Sequence, residues 1–469
     1  MPDLIVANPG AERGAVVARV AAVADELRRR WRNWSGEQRC RPLLIQRPRT
    51  REGLIADVIA ATEQGRSLKV AGSGHSFSGA ALTNGVMLDL GLLDRILDYD
   101  PGGGRVKVEA GVVLGTLNRR LDQRGLALES LGDIDRQTLA GSISTGTHGT
   151  GAPYRNLSSQ VEAIEMVSAD GTFHEISEDS DADTLRAARI GLGALGAIYS
   201  VTLRTITNFR IDRTDRARPL ADVHDGLDHL VDSNDHFEFY VFPHTETALC
   251  RESTRTQAPA QPPSPAAVYA QEVVLENWVG GAFAAVARHV PAAIPTLSRL
   301  AAAGTGKSRK LDSSFRVYAS ERRIKFTEME YAIPRENARE AVERVLAIAS
   351  RPELEVCFPI EVRFVAGDDA MLSPAHGRDS AYVAVHHDRR GDWQPYFDAV
   401  AAVMSDYGGR PHWGKRHALT AAELSGLYPR YEDFKDVRSR LDPGGAFANP
   451  YLEQVLGPVV VTSKRRRKR

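Results

Sequence analysis

The chain has 469 residues, 42% of them hydrophobic and 26% charged, which is the balance of a soluble globular protein large enough for two or three cores. Its 60 basic and 60 acidic side chains give a formal net charge of zero, so the composition favours no nucleic-acid partner. The exception is the basic run at 464–469, which predicts a solvated tail, with peripheral contact to a membrane surface as the alternative.

Cysteine usage and the N-terminal sequence bear on the compartment. Cys40, Cys250 and Cys357 are far apart and form no Cys-x-x-Cys spacing, which favours neither a disulfide framework nor a zinc site. Charged residues interrupt the apolar residues of 1–30, so no secretory signal is predicted, and no apolar run reaches the ~18 residues that a membrane helix needs. We expect a cytoplasmic protein without a bound metal.

The first informative segment is a glycine-rich loop at 71–79, Ala-Gly-Ser-Gly-His-Ser-Phe-Ser-Gly. Thr50 and Gly65 bound a predicted helix of about 14 residues, and apolar residues at 68–70 predict the strand that enters the loop. Glycines allow positive φ and let successive N–H groups face a phosphate. The spacing matches neither the dinucleotide fingerprint nor the Walker loop, so a nicotinamide or ATP site is not predicted. A tight turn with an exposed His75 is the alternative.

A second glycine-rich segment spans 131–151 and is too polar for a core element and too long for a simple turn. It is separated from the first by predicted strands at 86–90 and 105–109 and a helix that Gly125 ends. Hydroxyl groups beside its glycines predict contact with two linked phosphates, and they belong to Ser142, Ser144, Thr145, Thr147 and Thr150. A flexible linker is disfavoured because the segment also carries apolar residues that need burial.

The rest of the first half reads as a hairpin followed by a third glycine-rich stretch. Apolar patterns at 161–167 and 172–176 flank Asp-Gly and predict the hairpin. Glycines at 191–196 precede a strand at 199–203. They either let the backbone lie flat against a planar ligand or serve close helix packing.

The second half changes character after residue 206. The pattern predicts a helix at 220–231, an aromatic strand at 237–242 that is more typical of a core than of a substrate wall, a proline-rich surface loop at 257–265, and an alanine-rich helix at 266–303 broken at Pro291 and Pro295. From residue 315 it predicts half of a large antiparallel sheet with helices on one face. Its elements are strands at 323–332, 355–365 and 381–387 and helices at 336–349 and 393–407.

Charged residues mark two places in this sheet. Glu361 and Arg363 are two apart on a predicted strand and therefore share one face, where paired charges are costly unless they serve a function or form a structural ion pair. His386 and His387 end the next strand, and at most one of them faces the same side. The second cluster is Gly-Arg-Pro-His-Trp-Gly-Lys-Arg-His at 409–417.

Three motifs occurring in order resemble the vanillyl-alcohol-oxidase type of FAD-linked oxidoreductase: Gly-Ser-Gly-His-Ser at 72–76, the run at 140–151, and Gly-Leu-Gly-Ala-Leu-Gly-Ala-Ile at 191–198. Within that superfamily the chain is similar to the aldonolactone oxidase branch, which includes L-gulono-1,4-lactone oxidases and dehydrogenases, D-arabinono-1,4-lactone oxidase and alditol oxidases. The resemblance extends from about residue 34 to residue 456. It implies an α+β fold, with a two-subdomain FAD-binding domain and a cap domain built on a large antiparallel sheet covered by helices.

The resemblance also implies a division of the chain. After an N-terminal extension at 1–33, the FAD-binding domain would cover 34–206 and the cap or substrate domain 207–420. Residues 421–457 would return to the FAD domain, and 458–469 would form the basic tail.

Site residues follow from the same resemblance. The family's Glu-x-Arg strand and His-Trp-Gly-Lys motif line the substrate side of the flavin, which implies Glu361, Arg363 and Lys415 as catalytic residues. The residues expected to contact FAD are Ala71, Gly72, Ser73, Gly74, His75, Ser76, Phe77, Gly132, Asp133, Thr138, Gly141, Ser142, Ser144, Thr145, Thr147, His148, Gly149, Gly196, Ile198, His412, Lys415 and Asn449. His75 matches the histidine that is often bonded covalently to the flavin 8α-methyl group, with non-covalent FAD as the alternative.

The chemistry that we expect is removal of hydride from the C2 carbinol of an aldono-1,4-lactone to flavin N5. Glu361 would accept the hydroxyl proton or anchor the hydroxyl, while Arg363 and Lys415 would stabilise developing negative charge. Gly132 matches a position where glycine permits oxygen access, which favours an oxidase producing hydrogen peroxide over a dehydrogenase that uses a quinone or cytochrome. Asp133 replaces the serine of alditol oxidases and favours a lactone over a linear polyol. A flavin-carrying protein with a vestigial site is disfavoured by the three intact residues.

Overall fold

The computed structural model describes residues 30–100, 102–262, 264, 280–319 and 324–459. Residues 1–29 of the expected N-terminal extension, most of the first part of the alanine-rich helix and the basic run at 464–469 lie outside these residues. Within the described part of the chain, no helix combines the length and apolar character needed to cross a membrane.

The described elements alternate between helices and strands over the whole chain. The helices are Arg51–Glu63, Leu114–Asp122, Leu139–Ser144, Glu178–Ala188, Leu220–Asp225, Leu227–Asp232, Gly280–His289, Ile294–Ala303, Ser314–Tyr318, Ala338–Ala349, Gln394–Asp406, Ala421–Leu427, Tyr431–Leu441 and Pro450–Leu456. Thr50 caps the first of them by accepting a hydrogen bond from the Gly53 amide, as the sequence predicts.

The N-terminal half contains two small sheets that share one core. The parallel sheet has the order Leu44–Gln46, Val86–Asp89, Leu68–Ala71. The antiparallel sheet has the order Phe173–Ser177, Val161–Val167, Ala197–Arg204, Arg105–Glu109, Ile96–Asp100. Two-stranded pairs join Trp31–Arg32 to Arg39–Cys40 and Leu126–Ala127 to Ile206–Thr207. The core of this half also takes in apolar residues of 413–456, so the end of the chain packs back onto its beginning.

The C-terminal half is organised by one eight-stranded antiparallel sheet. Its strands, in spatial order, are Ser308–Ser313, Arg210–Pro219, Thr247–Thr256, His236–Val241, Ile360–Val365, Ser380–Asp388, Phe326–Pro334 and Arg410–Pro411. Alternate residues of the central strands, among them Phe237, Val362 and Val383, are fully buried in a core with the helices Ala338–Ala349 and Gln394–Asp406. The α+β class and the helix-covered antiparallel sheet are therefore confirmed.

The opposite side of this sheet carries the polar side chains, because a strand alternates its residues between two faces. We call this side the polar face and define it by Glu238, Tyr240, Glu328, Glu330, Glu361 and Arg363. The register aligns Tyr240 with Glu361 and Glu238 with Arg363 across neighbouring strands. The predicted sharing of one face by Glu361 and Arg363 is what the structure shows.

Several predicted elements differ from the structure. The helix expected at 220–231 is two short helices separated at Gly226, whose missing side chain and backbone freedom favour the break. The strand expected from 355 begins at Ile360, because Glu355 adopts a left-handed conformation with φ of 50° after the turn at 352–354. The segment 131–151 is largely buried and includes the helix Leu139–Ser144, so its exclusion from the core was wrong. The hydroxyl groups of Ser142, Thr145, Thr147 and Thr150 form hydrogen bonds inside the protein, so they can be buried at little cost in free energy.

Candidate functional site

A cavity of about 1080 Å³ lies where the three glycine-rich segments meet. Its walls come from the loop that follows the strand Leu68–Ala71, from the helix Leu139–Ser144 and from the turn before the strand Ala197–Arg204. Gly74 has φ of 72° and Gly196 has φ of 145°, so both turns use backbone conformations that favour glycine.

Gly72 sets the contact between the first two walls. A Cβ atom added at Gly72 would lie 2.2 Å from Thr138 Oγ1, and one added at Gly141 would lie 3.0 Å from the same oxygen. Thr138 in turn caps the helix Leu139–Ser144 through the Gly141 amide. Because glycine has no Cβ atom, Gly72 and Gly141 let the two walls approach each other this closely. Glycine-rich backbone of this kind can present its N–H groups to a ligand with phosphate groups.

Many of the residues expected to bind the cofactor line this one cavity. They are Ala71, Gly72, Ser73, Gly74, His75, Ser76, Thr138, Gly141, Ser144, Thr145, Gly196 and Ile198. Gln137 and Ala140 also line it and were not singled out from the sequence.

Other expected cofactor contacts are engaged elsewhere. The Ser142 hydroxyl donates to the Leu139 carbonyl at 2.8 Å, and Thr147 Oγ1 accepts from the Gln137 amide at 3.2 Å. Thr150 hydrogen-bonds the backbone of Phe237 and Phe364, two strands of the large sheet. These hydroxyl groups stabilise the 131–151 segment and attach it to the large sheet. The amino-acid composition of the segment does not distinguish this structural role from ligand binding.

Phe77 and Asn449 also lie outside the cavity wall. Phe77 is buried and packs on Phe326, with ring centroids 5.8 Å apart. Asn449 donates from its amide to the carbonyls of Gly79 and Leu82, and its side-chain oxygen caps the helix Pro450–Leu456. Asn449 therefore positions the chain just after the glycine-rich loop.

Gly132 and Gly149 do not line the cavity. Gly132 packs against Thr147, and Gly149 packs against Leu131. A Cβ atom at Gly132 would be 2.9 Å from Thr147 Cγ2, and one at Gly149 would be 2.3 Å from the Leu131 carbonyl oxygen. The chain is thus packed tightly at both glycines.

His75 lines the cavity and stacks against Trp34, with ring centroids 6.0 Å apart. Burial, with the nearby charges of Lys325, Lys415 and Arg136, lowers the pKa of His75 to about 4. The imidazole is therefore neutral near pH 7, which is the form with a nucleophilic nitrogen.

Arg363 occupies the centre of the polar face. Its guanidinium lies 2.9 Å from Glu238 Oε2 and 3.1 Å from Asp133 Oδ2, and it contacts Glu361 directly. The Arg363 side chain is only 8% exposed, and burial opposes its charge, but the three carboxylates raise its pKa well above the ordinary value. Asp133, expected beside the cofactor, thus joins the Glu361 and Arg363 pair.

Two neighbouring strands complete this charge network. The Tyr240 hydroxyl donates to Glu361 Oε1 at 2.7 Å, and Arg251 lies 3.0 Å from both the Glu238 carboxylate and the Tyr240 hydroxyl. A cavity of about 420 Å³ opens beside Arg363, Asp133 and Arg251. Glu238, Tyr240 and Arg251 were missed by sequence reasoning, because only the pairing of strands brings them beside Glu361.

Lys415 approaches the same face from the loop after the last strand. Its ammonium lies 2.5 Å from Glu328 Oε2, and Glu328 is 3.5 Å from His386 Nε2. Burial opposes the charge of Lys415, but Glu328 and Glu330 outweigh it and raise the pKa, with Asp133 adding to the shift. The Asp133 charge thus raises the pKa of both Lys415 and Arg363. His386 faces this side, whereas His387 turns to the Leu354 carbonyl, as the alternation of the strand predicts.

His148, Glu330 and His412 form a buried cluster whose nitrogen and oxygen atoms lie within 4.8 Å of one another. Such a group has the composition of a metal site. His412 Nδ1, however, accepts from the Gly414 amide at 3.0 Å, so Nε2 carries the proton of the neutral ring and is a donor rather than a ligand. His148 Nδ1 lies 2.9 Å from the Gly149 carbonyl and its Nε2 lies 3.2 Å from Glu330. Hydrogen bonds therefore explain why these three side chains lie close together.

Comparison with known families agrees with this geometry. A family model for D-arabinono-1,4-lactone oxidase matches residues 201–455, and one for an FAD-binding domain matches residues 42–177. The first match covers the large sheet, and the second covers two of the three walls of the cavity. The cofactor of this chain is therefore FAD.

Relatives of known activity match the chain along most of its length. An L-gulono-1,4-lactone dehydrogenase from Mycobacterium tuberculosis is 46% identical over 91% of this chain and 99% of its own. An L-gulonolactone oxidase from Mus musculus is 35% identical over 91% and 98%, and an alditol oxidase from a Streptomyces species is 30% identical over 90% and 98%.

Among solved structures, a cholesterol oxidase from B. sterolicum superposes with a TM-score of 0.76 over 91% of this chain and 96% of its own, at 17% identity. A solvent-stable cholesterol oxidase gives 0.75 over 91% and 97%, also at 17% identity. At this identity the likeness establishes the fold alone. Because the first family model spans more than half of the chain and the relatives match almost end to end, the chain belongs to the D-arabinono-1,4-lactone oxidase family of FAD-dependent oxidoreductases.

Proposed function

We propose that this protein oxidises an aldono-1,4-lactone, such as L-gulono-1,4-lactone or D-arabinono-1,4-lactone, at its C2 carbinol. The observation that carries the proposal is the buried Arg363, held by Asp133, Glu238 and Glu361 on the polar face beside Lys415. The printed activities of the relatives, lactone dehydrogenase and lactone oxidase, support the same substrate class. FAD, when bound in the cavity, supplies the planar acceptor of a hydride.

The chain's own residues would divide the remaining work. Glu361, oriented by Tyr240 and Arg363, would bind the C2 hydroxyl and accept its proton. Arg363 and Lys415 are both held in the charged form and would stabilise negative charge on the substrate oxygen. Burial of these groups makes each interaction stronger than it would be in water.

The lactone is favoured over a linear polyol by Asp133. The Asp133 carboxylate pairs with Arg363. Compared with a serine at this position, it adds a negative charge and occupies more of the site. Oxidation of a polyol, the activity named for the Streptomyces relative, is the alternative.

For reoxidation we propose molecular oxygen, which would yield hydrogen peroxide, because Gly132 matches the family position where glycine permits oxygen access. Alanine there would place its Cβ atom 2.9 Å from Thr147 Cγ2. A dehydrogenase that uses a quinone or a cytochrome is the second candidate, favoured by the name of the 46% identical relative.

His75 is proposed as the covalent anchor of FAD, since it lines the cavity and its ring is neutral near pH 7. Acid precipitation tests this. A pellet that keeps its yellow colour in the native protein but not in H75A supports the bond, and colour in the supernatant of the native protein contradicts it.

The experiment for the function is an anaerobic spectrum of the FAD-loaded protein. Bleaching of flavin absorbance by either lactone, and not by xylitol, would support lactone oxidation. Bleaching by xylitol alone would favour the polyol. Air is then admitted. An oxidase should recover its flavin absorbance rapidly and form hydrogen peroxide, whereas a dehydrogenase should recover it slowly.

We also propose a cytoplasmic protein whose basic run at 464–469 stays in solvent, with peripheral contact to an anionic membrane surface as the alternative. The native protein and a chain ended at residue 457 should sediment equally with phosphatidylserine vesicles. Co-sedimentation of the native protein alone would favour the membrane alternative.

A further inference from the structure

A second large opening, of about 900 Å³, lies on the other side of the glycine-rich loop from the FAD cavity. We call it the acceptor cleft and define it by Phe77, Trp393, Phe397, Ala401, Lys415 and Arg416. Phe77 and Lys415 were also named for the cofactor and the lactone, whereas Trp393, Phe397, Ala401 and Arg416 are used by neither assignment.

One helix supplies a whole wall of the acceptor cleft. Gln394, Phe397, Asp398 and Ala401 of the helix Gln394–Asp406 all line it, at the spacing that places residues on one helical face. Trp393 and Phe397 lie with ring centroids 5.3 Å apart, and Tyr451 closes another side. Aromatic walls of this kind favour a flat, largely apolar ligand.

The acceptor cleft is separated from the FAD cavity by a single stretch of backbone. Ser78 lines both openings, and Phe77, which lines the cleft, follows directly after His75 and Ser76, which line the cavity. The Phe77 amide donates to the Gly414 carbonyl at 2.7 Å, which fixes this wall against the loop that carries Lys415. A molecule in the cleft would therefore lie close to the cofactor cavity and beside Lys415 of the proposed lactone site.

Two cations line the same cleft. Lys415 is 19% exposed and Arg416 is 20% exposed, and the Arg416 guanidinium lies 4.2 Å from the centre of the Trp393 ring. Both also pair with carboxylates, of Glu328 and Glu37. A ligand that gains negative charge while it is reduced would be stabilised between them.

We infer that the acceptor cleft binds a quinone, which serves as a second electron acceptor of this enzyme beside oxygen. The inference rests on the proposed function and gives a binding site to its second candidate for reoxidation. The quinone takes up two electrons and two protons and leaves as the hydroquinone, while FADH₂ returns to FAD. The lactone has by then been oxidised, so the electrons and protons balance over the two halves.

The test uses duroquinone, whose fully substituted ring does not add to cysteine, with the FAD-loaded full chain. Ala401→Trp fills the cleft, and Ala402→Trp is the matched control because Ala402 is the exposed neighbour on the same helix. We expect A401W to weaken duroquinone binding by calorimetry, and to raise the KM for duroquinone, by about tenfold or more. A402W should match the native protein, and both should be bleached by lactone at the native rate.

A second variant, Trp393→Leu, removes one aromatic wall without filling the cleft and should weaken duroquinone binding in the same direction. Unchanged duroquinone binding in A401W and W393L would overturn the inference. So would equal slowing of lactone bleaching in A401W, because the cleft would then be the lactone entrance. Binding is measured without lactone, so failure of the lactone to bleach the flavin would overturn the proposed function and leave the test of the cleft intact.

Discussion

The Tyr240 hydroxyl donates a 2.7 Å hydrogen bond to Glu361 Oε1 across two neighbouring strands of the large sheet. The bond is partly buried. It joins the proposed proton acceptor to an aromatic side chain whose sequence context is typical of a core strand. It fixes the orientation of the carboxylate that the lactone hydroxyl would meet.

Tyr240→Phe should lower kcat for lactone oxidation by about 10- to 100-fold, because a hydrogen bond to a charged group contributes roughly 1.5–3 kcal/mol. FAD content should not change. Tyr396→Phe is the control, since it removes a buried hydroxyl that has no hydrogen-bond partner among the described residues and lies with the helices on the other face of the sheet. Steady-state kinetics checks both, and a native kcat in Y240F would remove Tyr240 from the site.

Lys415→Met should lower the rate of anaerobic flavin bleaching by about 100-fold or more, because a buried cation near the reacting oxygen is lost. Absorbance at the flavin maximum, measured per protein after desalting, should stay at the native level. If K415M instead loses FAD, Lys415 has a cofactor-binding or structural role and the catalytic assignment is wrong.

Gly72→Ala should remove FAD from the purified protein, since its Cβ would lie 2.2 Å from Thr138 Oγ1 and push apart two walls of the cavity. Gly426→Ala is the matched control, because a Cβ there meets nothing within 4 Å. Flavin-to-protein absorbance ratios check the pair. Full FAD content in G72A would show that the two walls can separate without cost to the cofactor.

His236 makes the stability depend on pH. Its Nδ1 lies 2.7 Å from the Thr150 carbonyl and its Nε2 2.7 Å from the Tyr318 hydroxyl, and burial lowers its pKa to about 4. The unfolded chain, with an ordinary pKa near 6.5, binds the proton more readily. The stabilisation is therefore complete above pH 6.5 and is lost as the pH falls towards 4.

When the pH is lowered from 7 to 5, the unfolded chain takes up a proton at His236 that the folded protein does not bind. This should lower the free energy of unfolding of the native protein by about 1–2 kcal/mol. Urea titrations of the native protein and of His236→Asn at both pH values measure it. The variant should show the smaller loss, and because Asp368, whose pKa burial raises to about 6, titrates in both proteins, its opposing effect cancels in the comparison. Equal losses would contradict the assignment.

Local patterns predicted much of the fold. The strand Arg105–Glu109 and the strand Val161–Val167 have the bounds expected from alternation and apolar runs, and Thr50 caps its helix. The shared face of Glu361 and Arg363 also follows from strand geometry alone. These features depend on residues close together in the chain.

The parts of the site that were missed depend on contacts between distant strands. Glu238 and Tyr240 reach Arg363 and Glu361 across more than a hundred residues of chain, and nothing in the aromatic segment at 237–242 indicates which strand it pairs with. The burial of 131–151 was missed for a related reason, since hydroxyls such as that of Ser142 can bind either phosphate or backbone. The division into domains and the roles of the site residues stay predictions.

The most direct measurement of the central claim is the rate of anaerobic flavin bleaching by L-gulono-1,4-lactone carrying deuterium at C2, in the native protein and in Glu361→Gln. Oxidation at C2 predicts bleaching several-fold slower with the deuterated lactone than with the protiated one. E361Q should keep its FAD and bleach far more slowly than the native protein. Equal rates for the two lactones, or native bleaching in E361Q, would contradict the account.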